Sequence, residues 1–450
     1  MSARVTADAI VLGAGAAGLA AAAELARAGR SVLVIEARDR IGGRVWTRRR
    51  RDVSLPLELG AEFVHGRGAE TLALARRAAS PLVDVPWEHW IASPNGRAGA
   101  LRPMQEFFPR IERAMKPALS LRHDVPFAEY LARRRRAFGA AAPFARLLVE
   151  GFDAAEPERA STRAIAEEWT GEGAADAPTF RLLGGYGPLL DELARAARQH
   201  GARMQLQTAV QAVRWRAAGR GARRVEVEGR FLDAPYRASA ACAVVALPLG
   251  VLQEPRGSRG AVEFDPPLQA KRAALEQLAS GPVLKVLLRF REPFWEELDG
   301  GRYRKAAFFH APRAAVPTFW TALPLRAPVL VGWAGGPRAA RLSGVAPARI
   351  TRHALDGLAE VFGSRGAARA QALLVAADVH DWSLDPYARG AYSYVVAGGR
   401  TARGRLAAPL KDTLFFAGEA ADTGGNAATV EGALASGRRA AAEALKRLRR

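Results

Sequence analysis

Apolar residues in this chain of 450 residues follow two rhythms. Short unbroken runs, bounded by glycine or charge, are too short for helices and suit strands buried on both faces. Ile10-Val11-Leu12, 31–35, 241–247 and 414–417 are such runs. Segments 16–28 (stopping at Gly29), the stretch entered through Pro188, 269–278 and 350–362 predict helices. A hairpin is expected at 46–59, and strands at 204–216, 224–227, 283–290 and within 308–335. From 71 to about 177 the pattern turns helical, broken at Ser93-Pro94-Asn95-Gly96 and around Pro157. Leu72, Leu74, Leu121, Phe127, Tyr130, Phe144, Leu147 and Leu148 read as its core.

The first strand, helix and second strand frame Gly13, Gly15 and Gly18 in a G-x-G-x-x-G pattern, and Glu36 ends the second strand. The first glycine permits a sharp turn, the second lets backbone approach a pyrophosphate, and the third lets the helix pack closely. The helix N-terminus offers free N–H groups to the phosphates. A carboxylate at Glu36 suits ribose hydroxyls and disfavours a 2′-phosphate. The plain alternative is a glycine-rich turn in an ordinary βαβ unit. Strand, helix, strand and acid in this order favour a dinucleotide site.

Composition narrows the class. The length points to two or three domains. A content of 49% hydrophobic and 25% charged residues is ordinary for a globular protein. No apolar run reaches the ~18–20 residues that cross a bilayer, and the chain enters its first strand too early for a signal peptide. The single cysteine, Cys242, allows no internal disulfide. A cytoplasmic home is therefore expected. Seven histidines and one cysteine in no ligand spacing predict no metal site. The formal net charge of +21 raises an anionic partner. However, the runs 48–51 and 133–136 lack the aromatic residues of a stacking platform, so nucleic acid is not expected.

The residues just after Glu36 specify the cofactor. Arg38, Arg40 and Gly42-Gly43-Arg44-Val45 give a chain that resembles the flavin-dependent amine oxidases, in particular the branch of polyamine oxidases and lysine-specific histone demethylases. Pro248-Leu249-Gly250-Val251-Leu252 and the string from Phe264-Asp265-Pro266-Pro267-Leu268 through Lys285 to Pro293-Phe294-Trp295 carry the same resemblance. It implies an α/β fold: a doubly wound, Rossmann-like FAD-binding domain (1–70, 181–262 and 396–450) and an α+β substrate-binding domain (71–180 and 263–395), both discontinuous. It implies non-covalent FAD, since Ala391 stands where monoamine oxidases attach flavin through cysteine. It also implies a small-molecule amine and oxygen as partners, with no membrane anchor. Oligomeric state stays open.

By the same resemblance Gly43, Arg38 and Arg44 contact FAD, as do Gly60, Ala61 and the backbone of Glu62 and Phe63 in the L-G-A segment. Val210 would meet the adenine, and Gly418, Glu419, Thr429 and Val430 form the final flavin motif. The matching lysine, Lys285, holds a water at the flavin; its plain alternative is an exposed lysine sharing a strand face with Arg289. Trp382 and Tyr392 approach the flavin, Thr429 replaces the second cage tyrosine of monoamine oxidases, and His65 matches a cavity histidine of polyamine oxidases. A polyamine-type substrate is favoured. An L-amino-acid oxidase, a monoamine oxidase, a flavin desaturase or porphyrinogen oxidase, and a non-catalytic FAD protein are the alternatives. Glu62, Glu167 and Glu168 are candidates for an acidic mouth.

Overall fold

A computed structural model describes residues 5–93, 98–104, 106–170, 177–217 and 224–449. Beyond Ser93, the break expected at 93–96 lies outside these residues.

The apolar run at the start forms the strand Val5–Leu12, which lies at the centre of an eight-stranded sheet. It pairs in parallel with Val32–Ile35 on one side and with Ala234–Val245 on the other. Arg203–Gln205 extends the sheet past Val32–Ile35, and Leu414–Phe416 adds to Ala234–Val245, both in parallel. Beyond Ala234–Val245 the sheet turns antiparallel through Val225–Phe231 and Thr208–Trp215. Ile10, Val11 and Leu12 have no exposed surface, because helices or loops cover both faces of this strand. The helices Ala16–Arg27, Gly187–Gln199 and Val430–Leu448 share one apolar cluster on one face. This is the doubly wound α/β arrangement that the resemblance implied.

A second, seven-stranded sheet is built around Val283–Phe290, whose eight residues are all buried. Leu374–Asp381 and Val329–Gly335 flank it, both antiparallel. Helices at 107–115 and 127–170 pack as a separate apolar cluster beside the sheet.

Three expectations are corrected. Residues 71–177 are not helical throughout: Leu82–Asp84, His89–Ala92 and Leu101–Pro103 are strands, and the latter two complete the edge of the second sheet. The helix expected at 269–278 shrinks to Arg272–Glu276, because Leu278–Gly281 pairs with Tyr392–Val395. Glu263–Asp265, counted with the substrate part, pairs with Thr208–Trp215 in the first sheet.

Candidate active site

The glycine turn is built as its pattern requires. Gly13 has φ +100°, a left-handed value that favours glycine. A Cβ on Gly18 would overlap the Gly13 carbonyl oxygen, so glycine there lets the helix start against the turn. At Gly15 the space is open: a Cβ would meet nothing nearer than the Gly42 oxygen at 3.9 Å. No side chain caps the helix Ala16–Arg27, which leaves its first N–H groups for an anion. Buried Glu36 accepts from the Ala14 N–H at 2.8 Å and the Arg38 N–H at 2.9 Å. Arg38 in turn reaches Asp385 at 2.7 Å, and Arg44 reaches Glu419 at 2.8 Å.

Of the predicted site residues, all but Gly18 line one cavity of about 1890 Å³. It runs from the Gly13–Gly15 turn and Val210 past Gly43, Gly60, Ala61 and Phe63 to Lys285, and Gly418, Thr429 and Val430 close another wall. Thr429 caps the helix Val430–Leu448, its hydroxyl accepting from the Gly432 N–H at 3.1 Å.

Lys285 is not the exposed lysine of the plain alternative. It has no exposed surface, and its ammonium donates to Glu62 at 2.6 Å and to the Gly60 carbonyl at 3.2 Å. Burial pushes the Glu62 carboxyl up, but Lys285 and Arg181 outweigh it and hold Glu62 below the usual range. Arg181 is bonded to the other Glu62 oxygen, and the Trp320 indole donates to that oxygen at 3.1 Å. Glu62 is therefore a neutralised core residue and not part of an acidic mouth. Trp382 donates to the Leu59 carbonyl at 3.0 Å, which sets its ring beside Gly60. The Tyr392 hydroxyl donates to the Phe152 carbonyl at 2.6 Å. Its phenol is pushed well up by burial, then by Asp153, Glu168 and Glu419. His65 opens onto the cavity while the surrounding protein encloses it, and that enclosure pushes its imidazole down to about 4.

Several cavity features had no signal in the sequence. Asp153 lines the wall with both carboxylate oxygens buried and unpartnered, and Trp169 approaches it without normal hydrogen-bond geometry. Burial, then the like charge of Glu168, pushes its carboxyl well up. Arg181 and Trp320 complete the Lys285–Glu62 cluster. His89 and His310 form a buried pair in the same cavity wall. Each sits far in sequence from its partners, with no motif around it.

An uncapped helix N-terminus, open backbone at Gly15 and Gly418, and a buried acid at the end of the second strand fit a dinucleotide. Fold and cavity together thus define a dinucleotide-binding protein whose cavity runs on from the glycine turn to Lys285 of the second sheet. The chain belongs to the flavin-containing amine oxidoreductases, whose family model ("Flavin containing amine oxidoreductase") matches residues 16–445. It is an oxidoreductase of that family, and FAD is its cofactor.

Among curated proteins it is 28% identical to lysine-specific histone demethylase 1 homolog 2 of Oryza sativa subsp. japonica, covering 98% of this chain and 57% of that protein. It is equally similar, at 28%, to human lysine-specific histone demethylase 2, covering 96% and 53%. The chain thus spans little more than half the length of these demethylases. Rice polyamine oxidase 4 is 26% identical, over 98% of this chain and 88% of that one. Among solved structures, a putrescine oxidase bound to putrescine superposes with a TM-score of 0.79 at 21% identity, covering 99% of this chain and 100% of the other. The cyclohexylamine oxidase from Brevibacterium oxydans IH-35A gives 0.77 at 21%, with the same coverage. Among the described residues no helix is long and apolar enough to cross a membrane.

Proposed function

We propose that this protein oxidises a polyamine-type amine. The observation that carries the reading is the continuity of one cavity, from the glycine turn to a chamber walled by aromatic rings and holding an unpartnered carboxylate, Asp153. FAD held there would supply the two-electron oxidation of the carbon beside a neutral amine nitrogen, with oxygen as the final acceptor and imine and hydrogen peroxide as the products.

The chain's own residues bind, orient and exclude water. The backbone at Gly13 and Gly15, with the helix N-terminus, would hold the pyrophosphate, and Glu36 would meet the ribose. Arg38, Gly43, Arg44, Gly60, Ala61, Phe63, Val210, Gly418, Glu419 and Val430 would complete the cofactor wall. Lys285, fixed by Glu62, would present a positive charge at the reacting end. Tyr392, tied through its hydroxyl, would offer its ring face to the amine, with Trp382 and Thr429 beside it. Neutral His65 puts no charge against a cationic substrate. Asp153 would favour a substrate ammonium beside it, because a buried carboxylate next to the like charge of Glu168 is costly until it is paired. We keep the division of the chain into cofactor and substrate parts, with the boundary near 262 moved past Asp265.

Purified protein is tested with a panel of mono-, di- and polyamines in a peroxidase-coupled assay. Peroxide from at least one polyamine is expected, with Asp153→Asn raising KM at least about ten-fold for substrates with a second ammonium. No peroxide and no anaerobic bleaching of the flavin by any amine would end this reading.

A further inference from the structure

Trp382 is the first of three rings that lead from the cofactor cavity toward the surface. It lines the cavity beside Gly60 and is 2% exposed. The His380 ring meets it edge-on, with centroids 4.3 Å apart. Trp46 meets His380 in the same manner at 5.1 Å and is half-buried. Trp46 and Trp382 pack in one apolar cluster. His380 and Trp46 lie outside the cavity lining, so neither has a part in the amine oxidation proposed for the site.

An indole gives up one electron more readily than an aliphatic side chain, and an electron crosses a gap the width of a ring without any bond being made. Where the resulting charge comes to rest depends on the indole proton. The Trp382 N–H donates to the Leu59 carbonyl at 3.0 Å. A carbonyl takes no proton, so an oxidised Trp382 stays a buried cation, which is costly. The Trp46 indole nitrogen is neither buried nor bonded to protein among the described residues, so water can take its proton. The guanidinium carbons of Arg40 and Arg48 stand 4.5 and 5.9 Å from the Trp46 ring centroid. They repel a cation on that ring and so favour loss of its proton, and the neutral radical left behind is not repelled. His380 puts no charge between the two indoles, because burial pushes its imidazole down to about 4. Trp320 offers no comparable exit. The Lys285 ammonium lies 5.3 Å from its ring centroid, and its N–H donates to Glu62, a carboxylate held below the usual range and so a poor proton acceptor.

We propose that Trp382 and Trp46 form a one-electron relay that carries an oxidising equivalent from bound flavin to the protein surface. The oxidant is the oxidised flavin excited by blue light. One electron passes from Trp382 to it, one electron from Trp46 refills Trp382, and the Trp46 indole proton passes to water. The sum is one electron gained at the cofactor, with one electron and one proton lost from Trp46. A small reductant in solution, such as ascorbate, returns both to Trp46. The relay thus moves radical damage from a buried cofactor to a surface ring that solution can repair. It needs bound FAD and does not depend on which amine is oxidised.

The test follows flavin-loaded protein by transient absorption after a blue flash, with no amine present. Wild type should show a neutral tryptophan radical lasting microseconds or longer, and steady blue light with ascorbate should bleach the flavin. Trp46→Phe, which keeps a ring against His380, should lose the long-lived radical and bleach at least about ten-fold more slowly. Trp46→Tyr, which restores an oxidisable ring with a proton to lose, should regain a long-lived radical with tyrosyl absorbance. The flavin spectrum before the flash shows that each variant holds its cofactor. A long-lived tryptophan radical in Trp46→Phe, bleaching at the wild-type rate in that variant, or no such radical in wild type would overturn the proposal. If Trp46→Phe does not hold flavin, Trp46→Tyr decides: a tryptophan radical there in place of a tyrosyl radical overturns it.

Discussion

Lys285 and Glu62 show how one buried pair divides its work. Glu62 keeps Arg181 and Trp320 when Lys285 is lost, whereas Lys285 keeps the Gly60 carbonyl and the Trp320 ring face but no counter-charge among the described contacts when Glu62 is lost. Lys285→Met is therefore expected to fold, retain FAD and slow flavin reduction, reoxidation or both by at least about ten-fold in stopped-flow. Glu62→Gln should cost stability, on the order of 3 kcal/mol, because it strands a buried ammonium. Wild-type rates in both half-reactions of Lys285→Met would remove the lysine from the site. Glu58 carries a second residue-scale prediction. It accepts from the Tyr186 N–H at 2.7 Å and the Thr47 hydroxyl at 2.8 Å, yet burial pushes its carboxyl up from 4.5 to about 7. The folded state keeps a proton that the unfolded chain releases, so stability from this group falls as pH rises across that window, by at most about 3 kcal/mol. Thermal melts of Glu58→Gln across the same window should lose this part of the slope. An unchanged slope would show that Glu58 is ionised throughout.

At the scale of elements, the helix Ala16–Arg27 stands or falls with Gly18. A methyl there collides with rigid backbone at Gly13 and not with a movable side chain. Gly18→Ala is expected to yield protein with little or no flavin absorbance, while Gly29→Ala, where nothing lies within 4 Å, should stay yellow with only a small loss of stability from its positive φ. The βαβ unit was legible because all its determinants are local: an apolar run, three glycines and an acid within about thirty residues. The strands Leu82–Asp84, His89–Ala92 and Leu101–Pro103 were not. Runs of three or four residues show no period, and their pairing partners lie far along the chain, as Phe308–His310 does from His89–Ala92. The same holds for Leu278–Gly281, drawn out of a helical pattern by Tyr392–Val395. Lys285 was legible as a candidate from its apolar neighbours. Its pairing with Glu62 and the unpartnered Asp153 were not, since neither burial nor pairing across domains is written in local spacing.

At the scale of the whole molecule, the charge of +21 acts on every approaching cation. For a free polyamine, added salt should raise kcat/KM by screening, and an N-acetylated polyamine should respond less. A free polyamine that is preferred and indifferent to salt would show that the global charge is irrelevant. FAD attachment is a second test at this scale. Ala391 offers no nucleophile, and Cys242 is buried in the strand Ala234–Val245 with its thiol pushed up to about 12. Acid precipitation should release all the yellow colour, and flavin left in the pellet would contradict this.

The packing of Ala16–Arg27 against Val430–Leu448 has a consequence for how the protein is born. A Cβ on Gly437 would strike the Ala17 backbone, so the two helices sit almost in contact. The first strand likewise waits for Ala234–Val245. On the ribosome, the glycine turn is made first, but its supporting helix emerges some four hundred residues later. The nucleotide site stays unclosed until residues 430–448 have been made, so flavin capture waits for them. Chains arrested before 430 should remain protease-sensitive and colourless even when FAD is abundant.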